Sequence, residues 1–490
     1  MGIIQRQSLA NALLIYSGIL IGFINMYLQP VCLSPEVFGL TRVLLSFSGL
    51  VSAIMPMGAG NIMMRFFQNY VGKEEEKNRF ISFTFVFGLA GFAIFSILLL
   101  LNSGWIIDSY SKQSGLFAAN FGFVFLLSFF MVCISLANCY SFALAKSVVP
   151  SLFSELLIRL FLMTLVGLFY FNYIGLEGFI IGFVCSYGIN FIGVMSYVFH
   201  IDKPKFRFDF GKLEWKGMAG FGIMIAIATM ASIGLKNLDT IFLVRYLNLE
   251  TAGIYSIALF MGLFIETPLN SLDRIASIKI AMAIAQNDQQ EIKDIYHKSS
   301  SNLFLVGGLL FIGVNSCVTP LLTFLPPDYR GNELVIFIIS LGSLVNMASG
   351  SNTSIIYNSE HYLKGTILLA GMFALLFILL WILIPLYGII GSAMAIAITS
   401  SSFNLSKLLF IKRYYHMQPF GWDSVRLAIL IGLVTIIGQY LPHLTLPVGD
   451  LVYRGMIVTV LYLGIAYFFK LIPEDSITMA KGLVSKVKSW

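Results

Sequence analysis

The chain has 490 residues, of which 58% are hydrophobic and only 11% are charged, too little polar surface to coat a water-soluble particle of this size. This composition excludes an ordinary soluble enzyme. The net charge of +7 is spread over short loops rather than gathered on a basic, aromatic-rich face, so membrane lipids are expected partners and nucleic acid is not.

Long apolar runs predict an all-α integral membrane protein. Crossing a bilayer core of about 30 Å takes roughly 20 helical residues, and backbone groups in lipid must bond within their own segment. The first run follows Arg6 without a small-residue cleavage site, which indicates a spanning helix rather than a removed signal peptide. The fourteen predicted spans are 9–28, 39–62, 80–101, 117–141, 149–170, 177–199, 219–242, 253–275, 301–325, 334–357, 365–386, 388–410, 425–441 and 451–470.

The five cysteines predict neither a disulfide framework nor a zinc site, because they are scattered, odd in number and without C-x-x-C spacing. We interpret them as small apolar side chains and expect no bound metal. They are Cys32, Cys133, Cys139, Cys185 and Cys317.

The loop charges predict the orientation of the chain, since Lys and Arg accumulate in cytoplasmic loops. With the N-terminus in the cytoplasm, 24 of the 31 Lys and Arg residues fall on that side and 5 on the other, while Arg159 and Lys236 lie inside predicted spans. Both termini are therefore expected in the cytoplasm.

One loop sequence occurs twice. Residues 33–40 (LSPEVFGL) and 247–254 (LNLETAGI) both fit L-x-x-E-x-x-G-[LI] at an offset of 214. The same offset relates Arg65 to Lys279, and nearly the same offset relates Pro56 to Pro268 and the segment 175–178 (GLEG) to 388–391 (GIIG). Six predicted helices separate the copies, so the repeats enter the membrane from the same side and are parallel.

The repeat predicts the domain organisation. We expect an N-lobe of helices 1–6 at 1–200, a basic cytoplasmic linker at 201–216, a C-lobe of helices 7–12 at 217–413, and helices 13 and 14 with a cytoplasmic tail at 414–490. Two parallel six-helix lobes around a central cavity, with two extra C-terminal helices, are typical of a transporter that opens to each face in turn.

The alternative class is a membrane-embedded enzyme, such as a glycosyltransferase or an O-antigen polymerase. It would need carboxylates or histidines converging in a sizeable loop, whereas Asp108 is the only acid in the longest predicted outer loop. There is also no Walker A motif, so we expect no ATP hydrolysis and no catalytic residues.

Charged residues inside predicted spans mark candidate sites, because each costs roughly 2.5–3.5 kcal/mol near the bilayer centre. Glu155 and Arg159 are spaced i, i+4 and can pair on one helix face. Arg159 either lines a cavity, where it binds an anionic substrate, or forms a structural ion pair between helices.

Helix 7 carries Lys236 and Asp239 at i, i+3, and Asp239 corresponds to Asn25 of helix 1 at the offset of 214. These residues line a cavity, or they form an inter-lobe pair, or Lys236 extends its ammonium group to the membrane interface.

Helix 8 carries Glu266, Asn270 and Asp273 on one face, and Glu266 is a candidate for a coupling proton or sodium ion. The alternative is a hydrogen-bonded structural acid beside Pro268. Arg42 and Arg65 flank helix 2, where they either bind a substrate head group or anchor the helix at the two interfaces.

Three features carry a family resemblance: the six-plus-six-plus-two plan, the segment LSPEVFGL before helix 2, and the run NLDTIFLVRYLNLETAGIY at 237–255. The chain resembles the polysaccharide transporter family of bacterial oligosaccharide flippases, within the multidrug, oligosaccharidyl-lipid and polysaccharide exporter superfamily.

The resemblance implies transfer of an undecaprenyl-pyrophosphate-linked sugar repeat unit across the bacterial inner membrane, for lipopolysaccharide O-antigen, capsule or exopolysaccharide. It implies Arg159, Lys236, Arg42 and Arg65 as head-group ligands. Asp239, Glu266, Asn270, Asp273, Glu155 and Asn25 are the implied sugar or ion sites. No cofactor is expected beyond a proton or sodium gradient, and a polysaccharide polymerase and chain-length machinery are candidate partners. The alternative within the superfamily is a drug or metabolite cation antiporter.

Overall fold

The computed structural model describes residues 3–211 and 213–473, and within them the chain is helical without any strand. Lys212 of the predicted linker and the predicted tail from residue 474 onward lie outside the described residues. Packing divides the chain into two compact units, Met1–Ile254 and Tyr255–Trp490. The predicted division into lobes, linker and tail stays a prediction.

Unit 1 contains the first eleven helices and the start of the twelfth. They are α1 (Ile3–Cys32), α2 (Pro35–Ile54), α3 (Ala59–Phe66), α4 (Glu74–Leu101), α5 (Ser103–Ser111), α6 (Gly115–Asn120), α7 (Gly122–Ala143), α8 (Val148–Ser151), α9 (Ile158–Tyr170), α10 (Leu176–Asp202), α11 (Trp215–Tyr246) and α12 (Leu249–Leu263).

Unit 2 contains the rest of α12 and seven further helices. They are α13 (Thr267–Ala285), α14 (Gln289–Thr323), α15 (Glu333–Ala348), α16 (Asn352–Asn358), α17 (Tyr362–Tyr415), α18 (Trp422–Gln439) and α19 (Pro447–Phe468).

The described helices confirm a multi-pass membrane protein. Eleven of them are long and apolar enough to cross a bilayer, or up to twelve if the bent pair α15 and α16 counts as one span. The predicted spans 365–386 and 388–410 both lie within α17, which partly accounts for the smaller number. The count of fourteen stays a prediction.

The break inside α17 occurs at Gly388, whose φ of 58° and ψ of −133° are non-helical. This region of backbone space is essentially restricted to glycine. A Cβ on Gly391 would lie 2.0 Å from the carbonyl oxygen of Leu383, so the chain passes very close to itself here. Glycine is therefore required at both positions of the predicted GIIG segment.

The two predicted proline interruptions coincide with breaks in the helices. Between α2 and α3 the chain turns at Pro56, and Met57 and Gly58 take positive φ values of 47° and 72°. Between α12 and α13 a single 3₁₀ turn, Phe264–Glu266, comes just before Pro268. Proline cannot donate the helical hydrogen bond at its position, so the regular α-helical hydrogen bonding is interrupted there.

Each unit has its own apolar core. In unit 1 the buried side chains come mainly from α3, α4, α7 and α10. In unit 2 one cluster joins α14, α15, α18 and α19, and another joins α13, α14, α16 and the end of α17.

The predicted basic linker lies along the start of α4. The backbone N–H of Lys205 donates to Oδ1 of Asn78 at 3.1 Å, and that of Arg207 donates to Oγ of Ser82 at 2.7 Å. Asp202 at the end of α10 pairs with Lys77 at 3.0 Å. The linker is thus attached to one helix of unit 1.

A buried arginine joins three helices of unit 2. Arg454 of α19 is 2% exposed and its Nε donates to Oδ1 of Asp450 at 2.9 Å. Its other nitrogens donate to the carbonyl oxygens of Ser316, Gly438 and Leu441 at 3.4, 3.0 and 2.6 Å. One guanidinium therefore satisfies carbonyls of α14 and of the end of α18 while remaining neutralised by its own helix.

We expect Arg454→Met to lower the free energy of unfolding by about 3–5 kcal/mol, because removing one member of a buried ion pair is strongly destabilising and leaves Asp450 with only the His443 ring and the backbone N–H of Leu444. Thermal unfolding of the purified protein in detergent measures the effect. Arg426→Met is the matched control, since Arg426 and its partner Asp423 are largely exposed and such pairs contribute little. An unchanged unfolding temperature for Arg454→Met would refute this role.

Candidate functional site

The predicted pair of Glu155 and Arg159 is formed inside unit 1. Nη2 of Arg159 donates to Oε2 of Glu155 at 3.0 Å. Glu155 lies in a π-helical turn, Leu152–Leu157, between α8 and α9, and such turns are frequent at functional sites. Asn25 of α1 donates from Nδ2 to the carbonyl oxygen of Arg159 at 2.8 Å. The structure thus brings three predicted residues together.

A groove of glycines on α1 accommodates the Arg159 side chain. A Cβ on Gly18 would lie 2.9 Å from Nη1 of Arg159, and one on Gly22 would lie 3.3 Å from it. Nη1 is buried and has no hydrogen-bond partner among the described residues, although the whole side chain is 29% exposed. The guanidinium therefore keeps donor capacity beyond its pair with Glu155.

Arg42 of α2 contacts the C-terminal end of α1. Its Nη2 donates to Oε1 of Gln29 at 2.6 Å, and its guanidinium lies 4.5 Å from the ring centroid of Phe38. Arg42 and Arg159 are both near enough to Tyr187 of α10 to act on it electrostatically.

The other predicted residues of unit 1 differ in their surroundings. Arg65 of α3 is exposed and lies 4.3 Å from the ring centroid of Phe221. On α11, Lys236 is exposed, while Asp239 is buried and its Oδ1 accepts the backbone N–H of Thr240 at 2.8 Å. Lys236 and Asp239 therefore lie in different environments on one helix, the lysine exposed and the aspartate buried.

In unit 2 the predicted polar face at the start of α13 pairs with α15 and α16. Nδ2 of Asn346 donates to Oε2 of Glu266 at 2.9 Å, and Oγ of Ser354 donates to Oδ1 of Asp273 at 3.1 Å. Asn270 is exposed. Two of the three predicted residues thus make polar contacts with neighbouring helices.

A buried lysine lies near these acids. Lys407 of α17 is 4% exposed, its Nζ donates to Oγ1 of Thr353 at 3.0 Å, and it lies 4.3 Å from the ring centroid of Phe403. Asp273 and Glu266 both act electrostatically on it. Unit 2 therefore combines two carboxylates and an ammonium group in one polar region.

The loop-charge count grouped Lys407 with the cytoplasmic cations and missed this environment. One signal was present, since Asn404 and Ser400 precede Lys407 in an otherwise apolar run. In the structure Asn404 accepts a hydrogen bond from Asn352 at 3.3 Å. Gln29, Tyr187 and Asn346 were also missed, because their roles depend on helices distant in sequence.

Comparisons with known proteins agree on the kind of molecule. A family model described as polysaccharide biosynthesis protein matches residues 32–325, more than half of the chain. No curated protein sequence matches the chain.

Solved structures share the fold at low identity. The lipid II flippase MurJ in an inward closed conformation has a TM-score of 0.74 and 15% identity over 94% of this chain and 99% of its own. An inward-facing multidrug resistance MATE family transporter has a TM-score of 0.64 and 11% identity, over 85% of this chain and 95% of its own. The MATE transporter VcmN of Vibrio cholerae has a TM-score of 0.52 and 14% identity, over 84% of this chain and 98% of its own. At these identities the likeness shows the fold.

We expect Thr353→Val to destabilise the protein by about 1–3 kcal/mol, because the isosteric change removes the hydroxyl that accepts from a buried ammonium group. Thermal unfolding in detergent provides the measurement. Thr366→Val is the matched control, since the Thr366 hydroxyl bonds only within its own exposed helical turn. Equal unfolding temperatures for Thr353→Val and the unmodified protein would contradict the expectation.

Proposed function

We propose that this chain, which belongs to the polysaccharide biosynthesis protein family, moves lipid-linked oligosaccharides across the membrane as a flippase. Its fold is shared by the lipid II flippase MurJ and by MATE transporters. The more specific proposal is an undecaprenyl-pyrophosphate-linked repeat unit for O-antigen, capsule or exopolysaccharide, carried by alternating access, with a polymerase and chain-length machinery downstream. We place the chain in the bacterial inner membrane with both termini in the cytoplasm, as its loop charges favour.

The observation that carries the proposal is the state of Arg159. The Arg159 side chain lies within a helix and is partly accessible, which suits its guanidinium to a phosphate oxygen, because arginine binds phosphate through charge-assisted hydrogen bonds. Glu155 pairs with the guanidinium, and Asn25 donates to the backbone carbonyl oxygen of Arg159. Arg42 lies in the same region, and the exposed Lys236 and Arg65 are further proposed head-group ligands.

The acidic and amide side chains among the candidate residues are suited to binding sugar hydroxyls or a coupling ion. Asp239, Asn25 and Glu155 of unit 1 are proposed to contact sugar hydroxyls, as is the exposed Asn270. Glu266 and Asp273 are half-buried near the buried Lys407, which suits reversible binding of a proton or sodium ion. We propose that the gradient of one such ion drives transport.

A cation antiporter of the same superfamily is the second candidate, favoured by the MATE likeness and by the acids of unit 2. The partly accessible Arg159 is evidence against a cation antiporter, because a guanidinium group repels a cationic substrate. The two functions differ in one outcome, namely whether loss of Arg159 impairs or leaves intact the transport of the substrate.

We expect cells that lack this chain to retain undecaprenyl-linked repeat units in the inner leaflet, and Arg159→Ala and Lys236→Ala separately to restore export poorly. Loss of a charge-assisted hydrogen bond of about 1.5–3 kcal/mol corresponds to a decrease of roughly 10- to 100-fold in transport efficiency. Radiolabelled surface polysaccharide and the leaflet distribution of lipid-linked intermediates are the readouts.

Gly22→Leu tests the Arg159 guanidinium independently, since the leucine side chain would displace the arginine side chain while the arginine is still present. Gly167→Leu is the matched control, because a Cβ there meets open space. Full export by Arg159→Ala, Lys236→Ala and Gly22→Leu at normal protein levels would reject the head-group assignment.

We expect Glu266→Gln to abolish the stimulation of transport by an imposed proton or sodium gradient while leaving substrate binding intact. The neutral side chain keeps a hydrogen-bond acceptor for Asn346 but cannot carry the titratable charge. Proteoliposomes with opposed pH and sodium gradients distinguish the two ions. Asp328→Asn, in an exposed loop, is the control, and unaltered stimulation in Glu266→Gln would exclude Glu266 as the coupling group.

A further inference from the structure

The first and last turns of α17 meet at the surface of unit 2. The ring of His361, the residue just before α17, lies 4.7 Å from the ring of Tyr414 and 5.9 Å from that of Phe410, measured between centroids. The rings of Phe410 and Tyr414 are themselves 4.5 Å apart. The break at Gly388 thus brings together two helix ends that are far apart in sequence, and packed rings hold them.

Two cations converge on the hydroxyl group of Tyr414. Nζ of Lys364 donates to this hydroxyl at 3.2 Å and lies 4.3 Å from the centroid of the same ring. The side chain of Arg413 also approaches the hydroxyl. All three side chains are exposed, and within the described part of the chain neither cation forms an ion pair. A phenol accepts a hydrogen bond without a formal negative charge, so two like charges remain close together.

Exposed apolar side chains continue from both cations along α17. Leu405 and Leu409 precede Arg413 at intervals of four residues, and both are exposed. Ile367, three residues after Lys364, is exposed as well. Positions three or four apart lie on one face of a helix, so each cation stands at the end of an apolar strip. An amphiphile with an anionic head group and apolar chains has the same order of groups.

We propose that Lys364 and Arg413 bind the phosphate group of an anionic phospholipid, whose acyl chains lie along the two apolar strips of α17. The phosphate lies between the cations and relieves their mutual repulsion, and its oxygens accept charge-assisted hydrogen bonds from both. On the predicted topology this end of α17 faces the cytoplasm, where anionic lipids attract cations next to membrane helices. Binding of this lipid does not depend on what the chain transports.

The tyrosines at this end of α17 favour a lipid over a soluble anion. Tyr362 and Tyr414 are both exposed, and they belong to the first and last turns of the helix. Exposed tyrosine rings are enriched at the level of the lipid head groups, because one end of the ring is apolar and the other is polar. The two cations therefore lie at the depth where the phosphate of a phospholipid is found.

Native mass spectrometry of the full chain in detergent measures the binding of phosphatidylglycerol, with zwitterionic phosphatidylcholine for comparison. We expect phosphatidylglycerol to bind more tightly. Lys364→Gln and Arg413→Gln should each weaken its binding roughly fivefold, the contribution expected of one cation near an anionic membrane surface, and should leave phosphatidylcholine unaffected. Lys364→Arg keeps the charge and should keep the affinity.

Lys73→Gln and Arg426→Gln are the matched controls. Each removes the same charge from an exposed side chain that already pairs with a carboxylate, so neither should change the binding of phosphatidylglycerol. All four glutamine variants alter exposed side chains and should unfold at the temperature of the unmodified protein. Unchanged affinity in both Lys364→Gln and Arg413→Gln, or an equal loss in the controls, would overturn the proposal.

A photoreactive lipid locates the acyl chains in the unmodified protein, and so does not depend on any variant. Phosphatidylglycerol with a diazirine in one acyl chain is added to membranes that contain the full chain, and the labelled peptides are mapped after irradiation. We expect it to label residues 362–368 and 404–414 several-fold more than the matching phosphatidylcholine does. Equal labelling by the two lipids would refute recognition of the head group.

Competition with inorganic phosphate separates a lipid site from a site for a soluble anion. We expect inorganic phosphate not to displace phosphatidylglycerol, because it cannot use the apolar strips. Displacement at equal concentration would reject the phospholipid as the ligand. None of these measurements requires transport, so a failure of the lipid site is distinguishable from a failure of the proposed function.

Discussion

A polypeptide in lipid has no water to satisfy its polar groups, and this constraint governs the whole structure. Backbone groups bond within helices, and each buried charge is held by protein partners. Arg454 illustrates the rule, since its guanidinium donates to Asp450 and to three carbonyl groups. Lys407 illustrates it again through Thr353. The position of every charge inside a helix therefore carries information about structure or function.

The two units meet this constraint with different chemistry. In unit 1 the central group is an arginine that keeps donor capacity after pairing with Glu155. In unit 2 two carboxylates accept from amide and hydroxyl groups close to a lysine. A cationic region suited to an anionic head group and an acidic region suited to a small cation are thus carried by separate parts of one chain, which is the division of labour that the proposed ion-driven flippase needs.

Much of the fold follows from the sequence, because it depends on local properties. Apolar run length predicts the helices, prolines and glycines predict the breaks at Pro56, Pro268 and Gly388, and i, i+4 spacing predicts the pair of Glu155 and Arg159. The family resemblance is confirmed by the match to residues 32–325. The partners of the candidate site could not be predicted in the same way. Asn346 and Lys407 meet the acids of α13 only through tertiary packing, and periodicity within one helix carries no information about which face of a distant helix it meets.

The sharp break at Gly388 has a mechanical consequence for unit 2. The two halves of α17 are joined without a flexible loop, and their backbones approach closely where Gly391 passes Leu383. Because a single non-helical residue joins the two halves, an axial movement of one half is passed directly to the other and is not absorbed by a loop. The half that carries Lys407 is therefore coupled through the backbone to the half that begins at Tyr362.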